Sequence, residues 1–252
     1  MFENKLKNML KEDKSAIGTF ASMNSPDLVE IMGLTGFDFV IIDAEHGPMD
    51  AETSMNLIRA AELHNMTPIV RVRENSETVI LKHLDVGAHG IQVPQINSDE
   101  DAKLLVQRSK YSPLGKRGVA MPRAADYGLY PIMDYFEKSN EQTMIIAHCE
   151  NIISLENLED IANTPGIDVI FLGPFDMSQS MGIPGQVKHP RIEEAAQRVL
   201  EVCKKYDKIP GIFAVTAEDA KSRIEQGFRY VPIGMDCTLI GAAFKKIVGK
   251  VK

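Results

Sequence analysis

The chain has 252 residues, of which 44% are hydrophobic and 25% charged, the balance of an ordinary folded protein, so intrinsic disorder is excluded as its main theme. Lysine and arginine number 28 against 35 acidic residues, and the net charge of −7 argues against a general nucleic-acid binder. Three cysteines (Cys149, Cys203, Cys237) without CxxC spacing exclude a disulfide framework and a zinc knuckle.

The longest apolar runs, such as 39–42 and 144–147, are far too short to span a membrane, and residues 1–14 lack the apolar centre of a signal peptide. A reduced, cytoplasmic protein is expected. In chain order, short β-rich runs alternate with longer helical stretches. Strands are predicted near 16–22, 38–43, 68–73, 90–94, 144–149, 168–172, 210–215 and 230–234. Helices are predicted at 26–35, 50–64, 76–86, 98–109, 152–162, 190–207, 217–227 and 237–248, several opened by serine and several closed by glycine. Eight strand–helix pairs predict an α/β fold, a TIM (β/α)8 barrel forming one domain over 1–252. The competing doubly wound sheet lacks a G-x-G-x-x-G after the first strand. Residues 110–142 break the rhythm as an insertion before strand 5, with a helical stretch at 131–140. Insertions of this kind serve as lids, substrate loops or subunit contacts, and contacts to an acceptor molecule are expected from this one.

In a parallel barrel the catalytic groups sit at the C-terminal ends of strands. Strand 2 ends in Asp43-Ala44-Glu45-His46, strand 3 in Arg71 and Arg73, strand 5 in His148-Cys149-Glu150, and strand 6 runs into Gly173-Pro174-Phe175-Asp176. Glu150 and Asp176, from neighbouring strands, suit one hard divalent cation such as magnesium or manganese; equally, each fits a helix cap or an arginine partner. His46 reads either as an acid/base group or as a surface histidine. Arg71 needs an anion, from protein or ligand. Strand alternation turns Cys149 away from the interior, and His64, His83, His89 and His189 read as structural.

The segments DFVIIDAEHGPMD, PIVRVRENS, HLDVGAHGIQVPQI, YSPLGKRGV, HCENIISLENLEDIANTPGIDVIFLGPFDMSQSMG and VPIGMDCTLI together resemble the HpcH/HpaI aldolase family, in order, over roughly residues 14–248. The likeness is closest to its 4-hydroxy-2-oxoheptanedioate and 2-dehydro-3-deoxyglucarate aldolase branch. The resemblance implies a class II pyruvate aldolase that uses Mg²⁺, Mn²⁺ or Co²⁺ and no Schiff-base lysine. It implies Glu150 and Asp176 as metal ligands, His46 as general acid/base and Arg71 as the group steadying the enolate. Asp85 matches the family aspartate that raises the histidine's basicity, and Asp43 is placed to orient that histidine. Gly173, Pro174, Phe175 and His148 fall at substrate-binding positions, and the family's hexamers, which exchange C-terminal helices, imply a homo-oligomer. The chain departs from the pattern at His148 (usually Gln), Phe175 (usually small or polar) and Ala44 (often Gly).

The expected reaction joins or cleaves a 2-oxo acid and an aldehyde. Two alternatives are a citrate-synthase-like condensation of oxaloacetate with an acetyl thioester, in which His148 recognises an extra carboxylate, and a non-catalytic binding barrel.

Overall fold

A computed structural model of the chain describes residues 3–252. Its eight strands are β1 (Ala16–Ala21), β2 (Phe39–Asp43), β3 (Thr67–Arg71), β4 (Gly90–Val93), β5 (Met144–Cys149), β6 (Val169–Leu172), β7 (Ile209–Ile212) and β8 (Tyr230–Met235). They pair in parallel, in sequence order, and β8 closes on β1. The TIM barrel read from the sequence is the observed fold.

The strands are largely apolar on both faces because each side meets protein, with Asp43, Arg71, Gln92 and His148 as inward-facing exceptions. Val40, Ile42, Val70, Ile91, Ile145, Ala147, Cys149 and Leu172 face the helices in one large core. Phe39, Ile41, Ile69, Met144, Ile146, Val169, Phe171 and Tyr230 fill the barrel itself. Gly18 is obligatory in that filling: a Cβ there would meet the Phe39 ring at 2.4 Å, and Phe39 stacks on Tyr230 at 4.4 Å. Cys149, turned outward as predicted, is buried, and burial pushes its thiol up to about 12, which leaves it no nucleophilic role at neutral pH.

The returning helices are α2 (Pro26–Leu34), α3 (Ala51–Leu63), α4 (Glu77–Asp85), α5 (Asp99–Ser109), α6 (Ile132–Gln142), α7 (Ile152–Glu156), α8 (Leu158–Ala162), α9 (Pro174–Ser180), α10 (Pro190–Lys205), α11 (Ala217–Gln226) and α12 (Asp236–Val251). Ser25, Ser98, Asn151 and Thr216 each accept a backbone N–H from the first turn of the helix they open. The stretch predicted as one helix over 152–162 divides at Asn157, which caps α7 and opens α8. Two helices escaped the sequence reading, α9 and α1 (Lys5–Lys11). The latter closes the barrel floor: Leu6 and Leu10 join the barrel filling, and the Asn4 amide donates to the carbonyls of His89 and Gln142.

Helices run opposite to the strands, so a helix ends at the floor and the next strand starts there. The insertion 110–142 joins the end of α5 to the start of β5 and therefore lies at the floor, where Tyr111, Tyr135 and Phe136 form a small core of their own. Within one chain the expected acceptor contacts from this segment are ruled out by topology. The same direction argument moves Asp85. It ends α4 at the floor, where it pairs with Arg117 of the insertion at 2.8 Å, and so cannot serve the His46 of its own chain.

Lys110, buried at the floor, donates to the carbonyls of Asn140 and Thr143, and among the described residues no carboxylate is in hydrogen-bond contact with it. Burial, reinforced by Lys7, lowers its ammonium to about 7 from the ordinary 10.5. The unfolded chain therefore binds this proton between pH 7 and 10.5 while the folded chain does not, and stability at this site rises with pH across that window. Lys110→Met is expected to flatten the slope of melting temperature against pH between 7 and 10; an unchanged slope would contradict this.

At the other end of the chain α12 stands away from the barrel. Asp236 is its buried residue, while Leu239, Phe244, Ile247, Val248 and Val251 are exposed. Among the described residues no helix is long and apolar enough to cross a membrane.

Candidate functional site

The mouth of the barrel, at the C-terminal ends of the strands, holds a cavity of about 750 Å³ lined by residues at the ends of seven of them, all but β4. His46, Arg71, His148, Glu150, Gly173, Pro174, Phe175 and Asp176 all line it. Strand register explains part of this. Asp43 and Arg71 are direct partners across β2 and β3, both pointing inward, and Arg71 is in turn level with Gln92 of β4.

Arg71 finds its anions within the protein. Its Nε and Nη2 donate to the two oxygens of fully buried Asp43 at 2.9 and 2.7 Å, and Nη1 lies 3.2 Å from Glu45. The guanidinium also stacks 4.7 Å from the Phe20 ring centre. Arg73, beyond the strand end, is exposed and shares none of this. Asp43 does not touch the His46 ring as expected. Its Oδ1 accepts the backbone N–H groups of Glu45 and His46, so it shapes the loop that carries the imidazole. The group beside that ring is Glu45, 3.9 Å from Nε2, with the His46 side chain 66% exposed toward the cavity. Burial raises the Glu45 carboxyl above its usual range, against the pull of Arg71.

Glu150 is held at both oxygens. Oε1 accepts the Gln95 N–H at 2.8 Å and Oε2 meets His148 Nδ1 at 2.6 Å. Behind them a buried chain continues: Gln92 Nε2 lies 2.8 Å from His148 Nε2, and the Tyr230 hydroxyl donates to Gln92 Oε1 at 2.8 Å. With Gln92 Oε1 taken by Tyr230, its amide donates to Nε2, which assigns the His148 proton to Nδ1 facing Glu150. Both ring nitrogens are thus spent on protein. His148 points inward as its alternation with Glu150 predicts, but it supports that carboxylate and has no polar atom left for a substrate. Burial works to raise the Glu150 carboxyl; His148, the Gln95 N–H and Arg71 outweigh it and hold it below the ordinary range.

Asp176 sits in the first turn of α9, whose N-terminus no side chain caps, and it is exposed to the cavity. A helix-capping role for it is therefore not observed. Gly173 shows how Glu150 and Asp176 converge. A Cβ built on it would lie 3.2 Å from Glu150 Cβ, 3.4 Å from Glu150 Oε2 and 3.8 Å from Asp176 Oδ2, so both carboxylate oxygens border the space over this glycine. Asp43, Glu45, Glu150 and Asp176 set four carboxylates against one guanidinium at this mouth. Among the described residues no three metal-ligating side chains converge. A two-carboxylate site fits a hard cation that completes its shell with water and substrate oxygens.

The HpcH/HpaI aldolase/citrate lyase family profile matches residues 16–243. The chain belongs to this family. Relatives agree over full length: it is similar to a 5-keto-4-deoxy-D-glucarate aldolase of Salmonella arizonae, 33% identical over 253 residues covering 100% of this chain and 98% of that one. Among solved structures, an HpcH/HpaI aldolase/citrate lyase family protein from Burkholderia cenocepacia superposes with a TM-score of 0.93 at 32% identity, covering 98% and 99% of the two chains. The citrate synthase SbnG superposes with a TM-score of 0.90 at 33% identity, covering 98% and 96%. As a member of the HpcH/HpaI family the chain is an aldolase-type carbon–carbon lyase.

Sequence reasoning passed over Glu45, Phe20 and Phe213 at this HpcH/HpaI mouth, and Gln92 and Tyr230 in the buried line behind it. Glu45 carried a signal, three ionisable residues in four after a strand. The inward-facing polar Gln92, in the short apolar run GIQVP, carried another.

Proposed function

We propose that the protein cleaves, and in reverse forms, 4-hydroxy-2-oxo acids as pyruvate plus an aldehyde, with a divalent cation (Mg²⁺, Mn²⁺ or Co²⁺) held by Glu150 and Asp176. The observation that carries this is the convergence of those two carboxylates over Gly173, beside Arg71 and His46. When bound there, the cation supplies the Lewis acidity that polarises the 2-oxo acid and steadies enolate charge.

The chain's own groups do the rest. His46, exposed at the cavity edge, takes the proton of the substrate's C4 hydroxyl. The C3–C4 bond breaks, the C4 oxygen becomes the aldehyde carbonyl, and the bonding pair passes into the enolate of pyruvate. Arg71, fixed by Asp43 and Glu45, faces the developing oxyanion without having to reorganise. His46 then returns its proton, and C3 of the enolate is protonated to give pyruvate. Glu45, next to both His46 and Arg71, is the carboxylate of the same chain that orients the imidazole. The backbone N–H groups of Phe175 and Asp176 face the pyruvate carboxylate; Pro174 has none to offer.

His46→Ala is expected to lower kcat by about 10²–10⁴ while metal affinity by calorimetry stays near wild type. A loss of metal binding would instead make His46 a ligand. The defining assay is aldehyde release from a panel of 4-hydroxy-2-oxo acids before and after chelation, and full turnover without metal would refute the reading. The likeness to SbnG favours a second reading, condensation of oxaloacetate with an acetyl thioester, which metal-dependent thiol release from acetyl-CoA detects. Against it, His148 has no free nitrogen for an extra carboxylate. We further propose a cytoplasmic homo-oligomer, a hexamer by family pattern, that buries the exposed apolar side chains of α12 against a neighbouring copy. Free cysteines and that helix support this.

A further inference from the structure

The acidic side of the cavity is faced by an aromatic one. Phe213, just past β7, meets Phe20 edge-to-face at 5.8 Å between ring centres and Phe175 edge-to-face at 6.0 Å. Val215 and Leu239 extend this wall outward, and Phe175 is 46% exposed to the space in front of it. Arg71 is the one guanidinium lining the cavity and no lysine lines it, among the described residues. Its Nε, Nη1 and Nη2 each meet Asp43 or Glu45, and the N–H bonds left over are those that face the enolate oxygen in the reading above. A second carboxylate on the aldehyde half would find no further arginine or lysine among the described residues that line the cavity. A chain of hydroxyls would lose water against the phenyl rings.

We propose that the aldehyde half of the substrate is uncharged and apolar, an aromatic or alkyl aldehyde without a terminal carboxylate, and that Phe20, Phe175 and Phe213 select it. This rests on the aldolase reading above. It separates this chain from relatives named for a glucarate-derived diacid, because the contact surface offers dispersion and area burial instead of ion pairing.

The test uses the full-length metal-loaded protein in the synthetic direction. Pyruvate is offered with benzaldehyde or hexanal and, separately, with succinic semialdehyde or glyceraldehyde, while deuterium exchange at pyruvate C3 is followed without any aldehyde. Exchange is expected, with kcat/KM for the apolar aldehydes at least about tenfold above the charged or hydroxylated ones, within the 10–200-fold range that apolar pockets achieve. In Phe213→Ser and Phe175→Ser the ratio of benzaldehyde to succinic semialdehyde should fall about tenfold. Because the ratio is taken within one variant, any general loss of activity cancels. Exchange together with a preference for the charged aldehyde overturns the proposal and leaves the aldolase reading standing. Absence of exchange with each of the three metals removes the aldolase reading, and the proposal with it. An unchanged ratio in the variants, with a fall in oligomer mass, would make the phenyl wall a subunit contact and also overturn the proposal.

Discussion

Asp176→Asn is expected to reduce turnover by about 10³-fold or more at saturating pyruvate-type substrate while leaving the circular dichroism spectrum and melting temperature close to wild type. The size follows from the role proposed for the cation. Charge stabilisation by a bound divalent ion amounts to several kcal/mol, and each 1.36 kcal/mol is a factor of ten in rate. The intact fold follows from the position: Asp176 is exposed, and no side chain caps the helix that carries it. Glu150→Gln should match it in activity but not in stability, because Glu150 is buried and its two oxygens accept from Gln95 and His148. Calorimetric titration with Mn²⁺ is the direct check. Wild-type affinity in either variant would remove that residue from the metal site.

The second large effect is expected at Asp43, which lies at the bottom of the site and contacts no proposed substrate atom. Asp43→Ala leaves the buried Arg71 guanidinium with Glu45 as its remaining carboxylate partner and orphans the N–H groups of Glu45 and His46. Breaking a buried ion pair from one side typically costs about 3–5 kcal/mol, and urea unfolding should show a loss of that order. Activity should fall further than the folded fraction does, because the catalytic arginine and the histidine loop lose their shared anchor together. Asp43→Asn keeps an acceptor for the loop and should be milder in both respects. A variant Asp43→Ala within about 1 kcal/mol of wild type would mean that Glu45 alone suffices to hold Arg71.

The count of strands was legible because each is a short β-branched run closed by polar residues, as in DFVIID and PIVRVR, and because one barrel needs eight of them. That Glu150, Asp176, His46 and Arg71 share one cavity was legible because a parallel barrel presents strand ends at one mouth. The floor helix α1 was not, since KLKNMLK offers barely two turns of pattern and nothing local says that Leu6 and Leu10 plug a barrel. Helix α9 was hidden behind Gly173-Pro174, which reads as loop. Asp85 and the insertion are different cases. Motif correspondence placed the one and loop length the other, yet both follow a returning helix, so chain direction alone assigns them to the floor. His148 was correctly aimed inward, but its role depends on Gln92 and Tyr230, which arrive from strands far away in sequence and which no local pattern connects to it.

The plugged floor makes the polar line Tyr230–Gln92–His148–Glu150 a cul-de-sac. Its inner end is a wholly buried phenol that burial holds far above its ordinary ionisation range, so it releases no proton at physiological pH. Leu6 and Leu10 belong to the same buried apolar cluster as Tyr230, so the floor side of that end is lined by hydrocarbon. Charge arriving at Glu150 therefore polarises this line without draining through it, and protons consumed or released by the chemistry travel by the open mouth, where His46 stands.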